Sequence, residues 1–239
     1  NNGAIISMVS IPDFNLNERK TITDVDYINR ATKGVYEFGS VFKTFTIAAA
    51  FNENLVESNT EFLNLKKQIE CNGFKIREYN DKMPTDLTVE EILIRSGNIG
   101  SVRIGQKIGE EKFRSFLKKI GVLGIIDFDI QEVGKPTRIS WGKCKLATAS
   151  YGHGITTTLL QIAKGYSIVT NGGYDINPTM IQKKIINKHL QKRILNVGVS
   201  DKINKILRKI VTNEEGTAEL ANVKGYEVGG KTGTAQISK

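Results

Sequence analysis

The chain has 239 residues, 39% hydrophobic and 25% charged, which suits one large domain or one domain of two lobes and excludes a disordered or fibrous chain. Its net charge of +9, from 34 Lys and Arg against 25 Asp and Glu, is spread along the sequence. With the basic residues so spread and no zinc-finger spacing, RNP-like aromatic motif or recognition helix, nucleic-acid binding is only weakly supported, and the charge fits a surface near an anionic envelope or membrane. No stretch approaches the ~18 apolar residues that span a bilayer, and the opening "NNGAIISMVS" lacks a signal peptide's basic and apolar regions.

In chain order, "GAIISMVSIP" predicts a strand broken at Pro12, followed by an irregular approach through "FNLNERKTITDVDYINRATKG". Residues 41–51 are apolar on nearly every face and predict a helix buried all round. Signals over 52–86 are mixed, with "CNGFKIREYNDKMP" reading as a hairpin or loop. Thr88 followed three residues later by Glu91 makes a capping box ahead of Ile92 and Leu93, and Gly97 interrupts that helix. A second helical segment follows from Ser101, then an amphipathic helix over 110–120 closed by Gly121. "GVLGIIDFDIQEVGKPTRISWGKC" reads as loop with one strand, and a helix over about 157–169 stops at Asn171, Gly172 and Gly173. "NPTMIQKKII" predicts a strand, "SDKINKILRKIVTNEEGTA" a helix capped by Ser200, and "YEVGGKTGTAQISK" two short strands joined at Gly229 and Gly230. Strands towards both ends with helices between them predict an α+β mixed domain rather than a parallel doubly wound one. No G-x-G-x-x-G follows a strand, no repeat or low-complexity linker is evident, and a dinucleotide site is not expected.

Within the apolar run, Lys43 raises a chemical question. A buried ammonium either finds a partner or is driven towards its neutral, basic form. Ser40, one turn earlier at the helix entry, is the nearest candidate partner, and the backbone N–H groups there favour developing negative charge. Ser-x-x-K occurs three times in the chain. Ser115 and Lys118 lie in the charged "GEEKFRSFLKKIG", and Ser140 and Lys143 in "RISWGKCK", which reads as having no helical run after it. Only Ser40 and Lys43 combine a glycine turn, a following helix and an apolar setting. From the residues alone that pair reads equally as a reactive serine with its base or as an N-cap with a snorkelling lysine.

Two further stretches each occur once: Ser96-Gly97-Asn98 at a break between helices, and Lys231-Thr232-Gly233-Thr234 on the expected terminal strand. In isolation Ser96 and Asn98 read as helix-end and turn residues, and Lys231 as a solvated edge charge. Cys71 and Cys144 fit no metal spacing and read as free thiols, a disulfide being the less favoured alternative. With only His153 and His189 in the chain a structural zinc is not expected. His153, between glycines, invites a reading as a catalytic base, and Trp141 reads as core or groove wall.

Ser-x-x-Lys, Ser-x-Asn and Lys-Thr-Gly in this order resemble the motif set of penicillin-recognising serine enzymes. "NRATKGVYEFGSVFKTFTIAAAF", "LTVEEILIRSGNIG", "YGHGITTTLLQIAKGYSIVTNGG" and "EGTAELANVKGYEVGGKTGTAQ" resemble segments of class B penicillin-binding proteins, most closely the division-specific septal transpeptidase. The likeness covers nearly the whole chain and is weakest over 52–86 and 185–200. It departs from the family at Phe38-Gly39, where Pro-Gly usually precedes the serine, and at Gly97, where a serine is often found.

The resemblance implies a single, partial transpeptidase domain over 1–239, with a helical lobe over roughly 52–165 and a central antiparallel sheet flanked by helices. It implies Ser40 as nucleophile, Lys43 as its base, Ser96 as proton relay, Asn98 as holder of substrate and lysine, and Lys231 as a source of positive potential. Thr232 and Thr234 would bind the substrate's terminal carboxylate, Gly233 would admit the ligand to the strand edge, and the Ser40 and Thr234 N–H groups would form an oxyanion hole. It gives His153 no catalytic role, and no metal or organic cofactor is expected. The implied partners are peptidoglycan stem peptides, β-lactam antibiotics and divisome membrane proteins, with no nucleic acid. Further C-terminal strands and a helix, a non-catalytic N-terminal region and an anchor in the bacterial inner membrane are expected of the whole protein, placing the catalytic domain in the periplasm. The rivals are a β-lactam sensor, an inactive division scaffold and a serine β-lactamase. The last is disfavoured because no Glu-x-x-Leu-Asn pattern follows Ser96.

Overall fold

The computed structural model describes residues 2–15, 17, 18, 23, 27–181 and 192–234. Its axis is α1 (Lys43–Asn52), entered through a 3₁₀ turn (Gly39–Phe42). All ten residues of α1 are buried, as the uniformly apolar run predicts. Among the described residues six further helices surround or adjoin it: α2 (Val89–Ile94), α3 (Asn98–Ile108), α4 (Glu110–Lys119), α5 (Lys143–Ala149), α6 (Leu159–Thr170) and α7 (Val199–Thr212). Of these, α2, α3, α4, α6 and α7 pack directly on α1. The described strands form three two-stranded antiparallel sheets: β1 (Val35–Glu37) with β6 (Thr156–Thr158), β2 (Glu61–Phe62) with β5 (Leu87–Thr88), and β3 (Gln68–Cys71) with β4 (Phe74–Arg77). The fold is thus the expected mixture of helix and strand, and no described helix is long and apolar enough to cross a membrane.

Three local arrangements fix the positions that matter below. The first is the β1–β6 ladder, with Val35 opposite Thr158 and Glu37 opposite Thr156, which feeds the chain directly into the turn carrying Ser40. At its end Gly152 (φ +89°) lies against Gly39, and a Cβ there would fall 1.8 Å from the Gly39 carbonyl oxygen, so the two backbones meet at a distance only glycine allows. The second is the capping box of α2. The Thr88 hydroxyl accepts from the Glu91 N–H at 3.2 Å, and the Glu91 carboxylate accepts from the Thr88 N–H at 2.8 Å, which holds that carboxyl below its usual pKa. The third is the exit of α2. Ser96 N–H donates to the Leu93 carbonyl and Gly97 N–H to the Ile92 carbonyl, with Ser96 left-handed at φ +58°. This is a Schellman closure with serine in the position glycine normally fills. α3 starts immediately after it.

The aromatic packing under α1 is equally specific. Phe42, Phe45 and Tyr166 stack edge to face in sequence. The Tyr166 hydroxyl donates to the Val41 carbonyl at 3.0 Å and meets Thr44 Oγ1 at 2.9 Å, pinning the entry of α1, and burial pushes this phenol well above its ordinary pKa.

Several expectations change on folding. "RISWGKCK" leads into α5, so Lys143 does have a helical run after it, although Ser140 and Lys143 are exposed. α5 is too short to carry an apolar period, and burial of Leu146, Ala147 and Ala149 against the neighbouring helix α3 supports it instead. Ser200 lies inside α7 rather than capping it; Gly198 is the cap residue, and the Ser200 hydroxyl accepts from the Gly172 N–H at 3.0 Å. The N-terminal strand is reduced to a single parallel bridge, Ala4 to Thr179, and half of the strand expected over 177–186 lies outside the described residues. The expected terminal hairpin is not formed over 225–234, because α7 takes the backbone groups a ladder would use. Gly230 N–H donates to the Leu207 carbonyl, and the Arg208 guanidinium donates to the Val228 carbonyl. Residues 235–239 lie outside the described set.

Cys71 and Cys144 are joined in a disulfide across 73 residues, in place of the free thiols favoured from sequence. The reading from spacing failed because the hairpin turn at Asn72 and Gly73, both at positive φ, brings Cys71 beside the first turn of α5. Replacing both cysteines by serine is expected to lower the unfolding free energy by about 2–4 kcal/mol, from the loss of a long cross-link on the unfolded chain. Urea denaturation of the double variant measures this, and an unchanged midpoint would count against it.

Candidate active site

α1 begins with Lys43, whose side chain is fully buried (0% exposed). Its ammonium donates to the Ser96 carbonyl, to Ser96 Oγ at 3.1 Å and to Asn98 Oδ1 at 2.7 Å. The lysine therefore satisfies itself on the α2–α3 junction, and among the described residues no hydrogen bond links it to Ser40, the partner expected from helical spacing. Burial, and then the charge of Lys231, pull Lys43 from 10.5 to about 7, while the carboxylate of Glu78 pulls the other way.

Lys231 reaches the same point from the far end of the chain. Its ammonium donates to Ser96 Oγ at 2.8 Å and to the Thr232 carbonyl at 3.1 Å, and burial lowers it to about 8. Ser96 Oγ is thus shared by two lysines, which strongly favours losing one of the two protons. The left-handed Ser96 backbone turns the hydroxyl into this position at a steric cost of about 1–2 kcal/mol.

The Lys231–Thr234 segment lies against the turn carrying Ser40. A Cβ on Gly233 would come within 2.8 Å of Val41 Cγ2 and 3.1 Å of the Phe38 carbonyl oxygen. Thr232 Oγ1 hydrogen-bonds Thr217 Oγ1 at 2.8 Å. Ser40, Ser96, Asn98, Thr232 and Thr234 all face one cleft of about 720 Å³. By contrast, Ser115, Lys118, Ser140 and Lys143 are exposed on the surface. Among the described residues no three His, Cys, Asp or Glu side chains form a metal-holding group.

The opposite walls of the cleft carry residues that, apart from His153, sequence reasoning did not single out. The end of β4 and the residues after it supply Arg77, Glu78 and Tyr79; the turn after α5 supplies Tyr151 and His153; and β1 supplies Glu37. His153 Nδ1 lies 3.6 Å from a Glu37 carboxylate oxygen, and its ring stacks on Tyr151. No periodicity or short motif marks these side chains, since they come from strand ends and the loops beside them.

Two solved structures of similar fold define a class. The chain superposes with a TM-score of 0.80 and 27% identity on the crystal structure of a peptidoglycan glycosyltransferase from Burkholderia ambifaria, covering 87% of this chain and 66% of that one. It superposes with a TM-score of 0.79 and 26% identity on the apo TP domain of Burkholderia pseudomallei penicillin-binding protein 3, covering 88% and 63%. The family model for the penicillin binding protein transpeptidase domain matches residues 1–239, and the chain belongs to that family. It is 30% identical over 237 residues to the probable peptidoglycan D,D-transpeptidase FtsI of Caulobacter vibrioides, and 32% identical over 254 to stage V sporulation protein D of Bacillus subtilis. These alignments take in 98% and 100% of the chain but only 40% and 39% of the relatives.

The lysine at the centre makes stability depend on pH. Unfolded, Lys43 holds its proton up to about 10.5; folded, only up to about 7. Between these values the unfolded chain binds the extra proton, so this group's contribution to stability rises with pH through the window, and its burial cost is felt in full below about 7. Lys43→Met is therefore expected to gain stability relative to the parent as pH is lowered from about 10 to about 7. Urea midpoints of both proteins at the two pH values give the sign, and a difference independent of pH would contradict it.

Proposed function

We propose that this domain is a serine D,D-transpeptidase that cross-links peptidoglycan stem peptides in septal cell-wall synthesis and is acylated by β-lactams. The observation that carries the reading is the buried Lys43, held on Ser96 and Asn98 and titrating at about 7, one turn from Ser40 at the cleft. Such a lysine is a base at neutral pH, which a serine hydroxyl needs to become a nucleophile.

In this mechanism the stem peptide's terminal carboxylate binds beside Lys231, Thr232 and Thr234, and the second hydrogen of Asn98 Nδ2 holds the substrate backbone. Ser40 Oγ attacks the carbonyl carbon of the penultimate D-alanine while its proton passes to neutral Lys43. The Ser40 and Thr234 N–H groups receive the oxyanion, a device whose single donors lower barriers by roughly 3–4 kcal/mol. As the peptide C–N bond breaks, the proton travels from Lys43 through Ser96 Oγ to the leaving nitrogen, and the last D-alanine departs as the free amine. An amine of a neighbouring stem then attacks the acyl-serine and gives up its proton along the same path. The new amide forms and the Ser40 hydroxyl is restored. The position of Ser96 Oγ between Lys43 and Lys231 supports this relay. Divisome membrane proteins as partners and a periplasmic position for the domain belong to the same reading.

Intact-mass measurement with a penicillin over time tests it. A persistent adduct mapping to Ser40, and absent in Ser40→Ala, is expected; rapid loss would point to a β-lactamase, and an adduct on Ser115 or Ser140 would overturn the assignment. Lys43→Ala is expected to slow acylation by more than about 100-fold, the lower range of general-base effects. The acylation rate should climb with pH through about 7, as Lys43 loses its proton, and fall above about 8, as Lys231 loses the charge that holds the carboxylate. A rate flat across both limbs would exclude these roles for the two lysines.

A further inference from the structure

We propose that Glu78 is a positioning residue of this site: its carboxylate grips the first two backbone N–H groups of α3 and so aims Asn98 at Lys43. The inference rests on the transpeptidase reading for its catalytic consequence, and on geometry alone for its structural part. Asn98 N–H donates to one Glu78 carboxylate oxygen at 2.7 Å, and Ile99 N–H donates to the other at 2.8 Å. The adjacent Arg77 carbonyl accepts from Asn98 Nδ2 at 2.8 Å. These bonds orient the amide so that Oδ1 faces Lys43 Nζ. Every described bond fixing the side chain of Asn98 thus comes from Lys43 or from the last residue of β4.

The cap residue of α3 is Gly97, which has no side chain with which to satisfy these N–H groups. A carboxylate from another element does so instead, and Glu78 lies 20 residues away in sequence. Negative charge at a helix N-terminus is favourable in itself, but here it has a second effect because Glu78 lines the cleft. The charged groups acting on Lys43 are Lys231, from the segment after α7, and Glu78, from the residue after β4; Glu37 and His153 line the same cleft. Lys231 favours the neutral lysine and Glu78 the protonated one. Glu78 therefore fixes where the second motif points and also draws the Lys43 titration upward, against the larger effects of burial and Lys231. The disulfide at Cys71 ties this hairpin to α5, which packs on α3, so the carboxylate and the helix it caps are held in one frame.

A plain helix cap would change stability alone, whereas a positioning residue also moves the lysine's titration. Lysine labelled with ¹³C at Cε reads the Lys43 midpoint directly by NMR, with or without acylation, in the parent, Glu78→Gln and Glu78→Asp. In Glu78→Gln the midpoint is expected to move to lower pH, and acylation by a fluorescent penicillin to slow by about 10- to 100-fold, the scale of a misaligned reacting group. Glu78→Asp, which keeps the charge, is expected to keep the parental midpoint. A folded Glu78→Gln whose midpoint matches the parent overturns the proposal, as does a Glu78→Asp that shifts as far as the glutamine variant. If Glu78→Gln does not fold, Glu78→Asp decides: a retained midpoint supports the proposal and a shifted one overturns it. A parent that is never acylated would refute the transpeptidase reading, while the NMR midpoints would still judge Glu78.

Discussion

The desolvation of one ammonium group organises this domain. Placing Lys43 at the start of a helix buried on every side removes it from water, and such a charge is tolerated only where acceptors surround it or where it gives up its proton. Both happen here. The lysine spends its donors on the Ser96 carbonyl, Ser96 Oγ and Asn98 Oδ1, and its pKa falls to about 7. The structural demand of burial and the chemical demand for a neutral base are met by the same arrangement.

That arrangement shapes its neighbours. The α2–α3 junction must present a carbonyl, a hydroxyl and an amide oxygen to one point, and it does so by forcing Ser96 into the left-handed region where a Schellman closure ordinarily has glycine. Glycine would relax the backbone but would remove the hydroxyl that both lysines share. Gly97, next in sequence, gives α3 no side-chain cap, and the orphaned N–H groups turn to Glu78. Strain at one residue and a borrowed cap at the next are both consequences of putting acceptors where the lysine needs them.

Much of this was legible in the sequence, and for identifiable reasons. The apolar run around Lys43 specified a buried helix because no face of it is polar. Thr88 and Glu91 specified the start of α2, and Gly97 its interruption, because caps and breaks are local chemistry. Ser40, Ser96, Asn98, Lys231 and Thr232 could be singled out because short motifs with fixed side-chain chemistry mark them. The misses have the opposite character. α5 is too short for a period to show, the thiols Cys71 and Cys144 are 73 residues apart, and the described part of the terminal segment, up to Thr234, bonds to α7 instead of pairing with itself.

By itself the sequence determined the helical axis, the mixed helix-and-strand class and the three motif segments, since all of these are written in neighbouring residues through periodicity, capping and side-chain type. Only the tertiary structure decided that Lys43 bonds Ser96 and Asn98 rather than Ser40, that Lys231 returns across 135 residues to the same hydroxyl, and that Glu78 caps a helix 20 residues downstream. The physical reason is that desolvation and hydrogen-bond satisfaction are properties of a point in space. Which groups reach that point depends on how α1, the α2–α3 junction, the β3–β4 hairpin and the segment after α7 pack together, and no local pattern in any one of them records the other three.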